Sequence, residues 1–136
     1  MDFNTVRSAI TRSSVFRGLD QAQLGMLLMS ASAREFSSGE EIYSKGEESE
    51  GSFALIVSGR VSVVAESGQI LKELGAGEVI GEVGIISPQQ RRTVTVRTIQ
   101  PTVAFEWQLR DIEEKLPELV KTLKDLAWKR VSDWLE

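Results

Sequence analysis

Apolar positions change their period twice along the chain. Near the start Phe3, Val6 and Ile10 recur at helical spacing over a short polar stretch, which predicts a small amphipathic helix. Asp20, with Gln23 three residues later, reads as a capping box, and Leu24, Leu27, Leu28 and Ala31 then mark one face of a second helix over about residues 21–32. Met26 and Met29 on that helix are read as core or gap filling rather than as a partner groove. From Ala33 the texture becomes short runs broken by Gly and Ser, and strands are expected near 33–36, 41–44, 52–57, 60–65, 70–74, 78–80, 94–98 and 102–105. Within 60–65, Val61, Val63 and Ala65 share one face and Ser62 and Val64 the other, the pattern of a half-buried strand. Helical period returns at Pro117, a good opening residue. Leu119, Val120, Leu123, Leu126, Ala127, Val131 and Trp134 form an apolar stripe, with Lys121, Lys124, Asp125, Lys129 and Asp133 opposite.

Eight short strands between helices predict a mainly β chain: an eight-stranded jelly-roll (double-stranded β-helix) sandwich with N-terminal helices and a long C-terminal helix. At 136 residues and 41% hydrophobic content there is enough apolar surface for one core, and a chain of this size buries roughly two-thirds of its unfolded surface. A formal net charge of -4 argues against a nucleic-acid surface on this domain, which would show a basic excess. There is no Cys and no His, so disulfides, the usual zinc sets and nucleophilic triads are all ruled out. A jelly-roll enzyme of the cupin type, whose metal is held by several His, is set aside for the same reason. No apolar run approaches the roughly 20 residues of a spanning helix, and the N-terminal stretch is not a secretory signal. A cytoplasmic, non-catalytic domain without membrane contact is expected.

The chemistry concentrates in GEVGIISPQQRRTVTV, residues 81–96. Gly81 and Glu82 lead into the apolar Val83, Ile85 and Ile86 with Gly84 among them, and Arg91 and Arg92 arrive just before Thr93 and Val94. Backbone N–H groups at the start of a short helix and a buried guanidinium suit a phosphate, while a carboxylate accepts from a sugar hydroxyl.

This segment resembles the phosphate-binding cassette of the cyclic nucleotide-binding domains, in which Gly-Glu-apolar-small-apolar is followed by a short variable loop and then Arg-small-Ala-Ser/Thr-Val. Gly81, Glu82, Val83, Gly84 and Ile85 match the first half, and Arg92, Thr93, Thr95 and Val96 the second. Arg91 falls in the variable loop, and Val94 stands where the family usually has Ala. The run from Lys45 to Val64 also resembles the family's strand-turn-strand.

The resemblance implies one domain over 1–136, with N-terminal helices to residue 32, a sandwich over 33–106 carrying the cassette at 81–96, and lid or dimerisation helices over 108–136. It implies a ligand in place of a cofactor or metal, cAMP ahead of cGMP, bound by Gly81, Glu82, Val83, Gly84, Arg92, Thr93 and Val94. Counting from Pro117 sets the lid near Arg130 and Trp134, on a helix that in this family also pairs protomers into homodimers. The function implied is a regulatory sensor that transmits occupancy through that helix. The alternative is the same fold with an unused pocket, acting as a protein-interaction or dimerisation module.

Overall fold

The computed structural model describes residues 3–134, with side chains from Asn4 onward. The contribution of the Phe3 side chain to the first helix, and the last two positions of the C-terminal one, therefore lie outside the described residues. Two helices, α1 (Phe3–Arg12) and α2 (Gln21–Ser30), precede the strands. The capping box forms in full: the Asp20 carboxylate accepts from Gln23 N at 2.8 Å and the Gln23 side chain accepts from Asp20 N at 2.9 Å. α2 stops at Ser30, short of the expected end. The Ser30 hydroxyl donates back to the carbonyls of Met26 and Leu27, and Ala31 is already extended. Met26 packs against the core, but Met29 is 90% exposed and fills nothing.

Eight strands follow among the described residues: β1 (Ser32–Phe36), β2 (Glu41–Tyr43), β3 (Ser52–Ser58), β4 (Arg60–Val64), β5 (Ile70–Gly75), β6 (Val79–Ile80), β7 (Thr95–Thr98) and β8 (Thr102–Gln108). They form two antiparallel sheets, ordered β1-β8-β3-β6 and β2-β7-β4-β5, which is the jelly roll expected. Between β6 and β7 sits a single helical turn, α3 (Val83–Ile86). After β8 come α4 (Leu109–Ile112) and α5 (Pro117–Trp134).

The first sheet is covered on both sides, and this explains why β3 is a continuous apolar run. Phe53, Leu55 and Val57 face a core shared with the helices, where Val6, Leu27, Ile112 and Leu123 also lie. Ala54 and Ile56 face the opposite way, into the sandwich, with Val61, Val63, Ile80 and Ala104. β4 departs from the expected half-buried pattern, since Ser62 and Val64 are buried along with Val61 and Val63. As an inner strand it has neighbours on both sides, and Val64 stands between Thr95 and Ile70 across the two ladders. β8 runs three residues beyond the predicted end. Trp107 pairs with Phe53 there, stacks on its ring at 5.6 Å and donates from its indole to Leu27 O at 2.7 Å.

α5 buries Leu119, Val120, Leu123, Ala127 and Arg130. Leu126, Val131 and Trp134 of the predicted stripe are only partly covered. Arg130 follows Ala127 by three residues and Leu123 by seven, so a cation stands on the buried stripe.

Candidate functional site

One cavity lies between the second sheet, α3 and the end of α5. Its wall includes every residue expected to bind the ligand or form the lid: Gly81, Glu82, Val83 and Gly84 from the β6–α3 turn, Arg92, Thr93 and Val94 ahead of β7, and Arg130 and Trp134 from α5. Val63, Leu74, Ile80 and Val96 supply an apolar side, and Tyr43 closes the wall. Arg91 lies apart, exposed, with its guanidinium donating to Gly46 O at 2.9 Å.

Arg92 is the most heavily bonded side chain of the group. Nη1 donates to Ser52 O at 3.0 Å and Gly81 O at 2.9 Å, and Nη2 donates to Ser49 O at 3.1 Å and Ser52 Oγ at 2.6 Å. All terminal N–H groups are thereby used, leaving Nε buried with no acceptor among the described residues. The Thr93 hydroxyl is likewise buried without a partner there. Burial pushes the Arg92 guanidinium below its ordinary pKa, opposed by the neighbouring Tyr43 phenol and the carboxylates of Glu47, Glu106 and Glu82. An Arg remains a cation through such a shift.

Gly81 and Gly84 are required by the closeness of Tyr43, Ser49 and this guanidinium. Gly81 has φ +83°, and a Cβ on it would stand 2.7 Å from Tyr43 Cε2 and 3.0 Å from Arg92 Nη1. A Cβ on Gly84 would meet Ser49 Cβ at 2.8 Å and the same Nη1 at 3.0 Å. Both positions lack a side chain because the cassette packs directly onto Tyr43, Ser49 and its own arginine.

Glu82 is 1% exposed, and its carboxylate accepts from Arg130 Nη1 at 2.7 Å. Nη1 also donates to Val79 O, while Nη2 reaches Glu78 at 3.2 Å. The Trp134 ring lies 5.0 Å from the Arg130 guanidinium carbon. The end of α5 thus fills the space between cassette and sandwich. What remains is a cavity of about 20 Å³, room for a water molecule.

Sequence reasoning missed Tyr43, Ser49 and Ser52 as members of this group. The chain has a single Tyr, and Ser49 and Ser52 flank a tight turn at Glu50 and Gly51, both at positive φ. Those signals were present without indicating which cation they serve. Among the described residues no cluster of carboxylates is placed to hold a metal ion, and no helix is long and apolar enough to cross a membrane.

Residues 33–118 match the family model described as the cyclic nucleotide-binding domain. Among curated proteins, the chain is 31% identical over 118 residues to a cyclic nucleotide-gated cation channel of Drosophila melanogaster, covering 80% of this chain and 18% of the channel. It is 30% identical over 129 residues to a potassium channel of Arabidopsis thaliana, covering 92% and 18%. The chain therefore spans less than a fifth of the length of these relatives. Among solved structures, a mutant regulatory subunit of a cAMP-independent protein kinase A from Trypanosoma brucei, bound to cAMP in its A site, superposes with a TM-score of 0.81 at 23% identity, over 98% of this chain and 51% of that one. The catabolite activator protein of Thermus thermophilus superposes with a TM-score of 0.74 at 24% identity, over 88% and 59%.

Proposed function

The chain belongs to the cyclic nucleotide-binding domain family, and from that premise we propose that it senses a cyclic nucleotide, cAMP ahead of cGMP, and passes occupancy on through α5. The observation that carries this reading is the shared cavity. Glu82 and Arg92 line it from the cassette, and Arg130 and Trp134 line it from α5. Ligand pockets for molecules of this size run to about 300 Å³ or more. A nucleotide entering a cavity of about 20 Å³ has to displace the α5 side chains, and that displacement is the differential contact through which occupancy reaches the helix.

In this reading the parts of the ligand are divided among groups with different chemistry. Arg92 Nε and the Thr93 hydroxyl, both buried donors without an acceptor among the described residues, take the phosphate. Glu82 exchanges Arg130 for a ribose hydroxyl, and the base lies against Val63, Leu74, Ile80, Val94 and Val96 under Trp134. The role is regulatory and non-catalytic. A cytoplasmic place of action belongs to the same reading.

Calorimetric titration with cAMP, cGMP and 2′-deoxy-cAMP tests the proposal. Binding of cAMP, tighter than cGMP and weakened by loss of the 2′-hydroxyl, is expected; no heat from either nucleotide at millimolar concentration would overturn it. A second reading, a protein-interaction module with an unused pocket, is favoured by one observation, that every terminal N–H of Arg92 already has a protein acceptor. The same titration separates the two.

A further inference from the structure

Tyr43 is the last residue of β2, and the register of that strand turns it inward. Glu41 pairs with Arg97 but Tyr43 pairs with Val96, so one extra residue is inserted between them as a bulge. Without it Glu41 and Tyr43 would share a face. With it Glu41 stays exposed, while Ile42 and Tyr43 are buried in succession, Tyr43 to 4% exposure. A bulge of this kind re-aims a side chain, and here the ring is delivered to Arg92, whose guanidinium carbon lies over it at 3.8 Å from the centroid.

The ring is itself held at its far end. Its hydroxyl donates to Glu106 Oε2 at 2.8 Å, and Glu106 Oε1 accepts from Arg34 at 3.0 Å. Burial and the neighbouring Glu106 charge push the phenol well above its ordinary pKa, so it stays a neutral donor. The edge of the ring also abuts Gly81, at the start of the cassette. An apolar filler in the sandwich core would need neither the hydroxyl partner nor a face turned to a cation.

We propose that Tyr43 is a positioning residue of the site: its ring, tethered by Glu106, fixes the plane of the Arg92 guanidinium so that the one N–H left without an acceptor among the described residues, Nε–H, is held ready for the phosphate. The inference rests on the nucleotide reading of the cavity. It adds a residue from β2, outside the cassette, that discriminates between ligands with and without a phosphate. Arg92 directs four N–H groups to Ser49, Ser52 and Gly81, and a flat guanidinium so engaged has one remaining freedom, tilting out of its plane. A ring against its face removes that freedom.

The test compares Tyr43→Met, which keeps much of the volume without a π face, with Tyr43→Phe, which keeps the face and loses only the hydroxyl. Each variant is titrated with cAMP and with adenosine, which lacks the phosphate. Tyr43→Met is expected to weaken cAMP about tenfold and adenosine less than about twofold, whereas Tyr43→Phe stays within about threefold of wild type for both. Equal losses for cAMP and adenosine, or equal damage from Met and Phe, would overturn the proposal. The Arg92 Nε–H proton resonance, assigned by its disappearance in Arg92→Lys, is read in the same proteins without ligand. The ring holds it upfield in wild type and Phe, and it moves downfield in Met; one position in all three is a refutation. If wild type binds neither ligand the sensor reading fails, and the resonance alone then decides whether Tyr43 positions Arg92. Should Tyr43→Met not fold, Tyr43→Leu takes its place in both measurements.

Discussion

Glu82 and Arg92 are both buried, yet they answer to different partners, and that separates the effects of changing them. Glu82 meets Arg130 with side-chain exposures of 2% and 7%. Removing its charge leaves the buried guanidinium only the half-exposed Glu78 as an anion, so Glu82→Gln is expected to lower stability by about 1–3 kcal/mol before any ligand is added. The urea midpoint reads this directly. An unchanged midpoint would mean that Val79 O and Glu78 suffice for Arg130. Arg92→Lys shortens the donor set facing Ser49, Ser52 and Gly81 and strands at least one buried acceptor, at a cost of about 1–3 kcal/mol, along with loss of phosphate-dependent affinity. Arg91→Lys keeps an exposed cation beside Gly46 and is expected to alter neither quantity. Comparable losses from the two lysine variants would mean that the register across the variable loop is wrong.

Within α5 the two ends have different surroundings. Leu119 and Leu123 are packed in the helical core, whereas Arg130 and Trp134 line the cavity. The three indoles report on these regions separately: Trp107 is 2% exposed in the core, Trp128 is 62% exposed on the outer face, and Trp134 lies beside Arg130. If occupancy moves the end of α5, saturating cAMP changes the emission spectrum, Trp134→Phe abolishes most of that change, and Trp128→Phe preserves it. A response that survives Trp134→Phe would place the movement elsewhere. The same partition bears on pairing of protomers. The inner stripe of α5 is consumed by its own chain, so a dimer through this helix has to use the face that carries Trp128. Under that proposal Trp128→Lys gives a monomer in sedimentation velocity, and an unchanged distribution would exclude this face.

At the scale of the whole molecule, strand positions were legible because Gly and Ser, and Pro101 ahead of β8, interrupt the apolar runs, and the cassette was legible because its glycines and charges sit at fixed intervals. What could not be read has a common physical origin in long-range contact. Val64 reads as outward-facing until Thr95 and Ile70 are seen on either side of it, and Arg130 reads as a break in an apolar stripe until Glu82 is seen beneath it. Tyr43 depends on a bulge that only the pairing with β7 defines. β3 ties these regions together, since Phe53 and Leu55 face the helical core while Ala54 and Ile56 face the sandwich. Two cores that share one strand cannot lose their packing independently, and the chain carries a separate optical probe in each. Trp107 lies in the helical core and the single tyrosine, Tyr43, in the sandwich core. Unfolding is therefore expected to be one cooperative transition, with coincident midpoints for Trp107 fluorescence, read in a Trp128→Phe/Trp134→Phe background, and Tyr43 absorbance. Leu123, 0% exposed and far in sequence from the tyrosine, provides the stringent case. Leu123→Ala is expected to cost about 2–5 kcal/mol and to shift both midpoints equally, because the cavity it leaves in the helical core weakens a core that shares β3 with the sandwich. A Tyr43 signal that persisted after Trp107 had been exposed would show the sandwich standing without its helices, and the coupling of α5 to the cassette would then need a route other than the shared sheet.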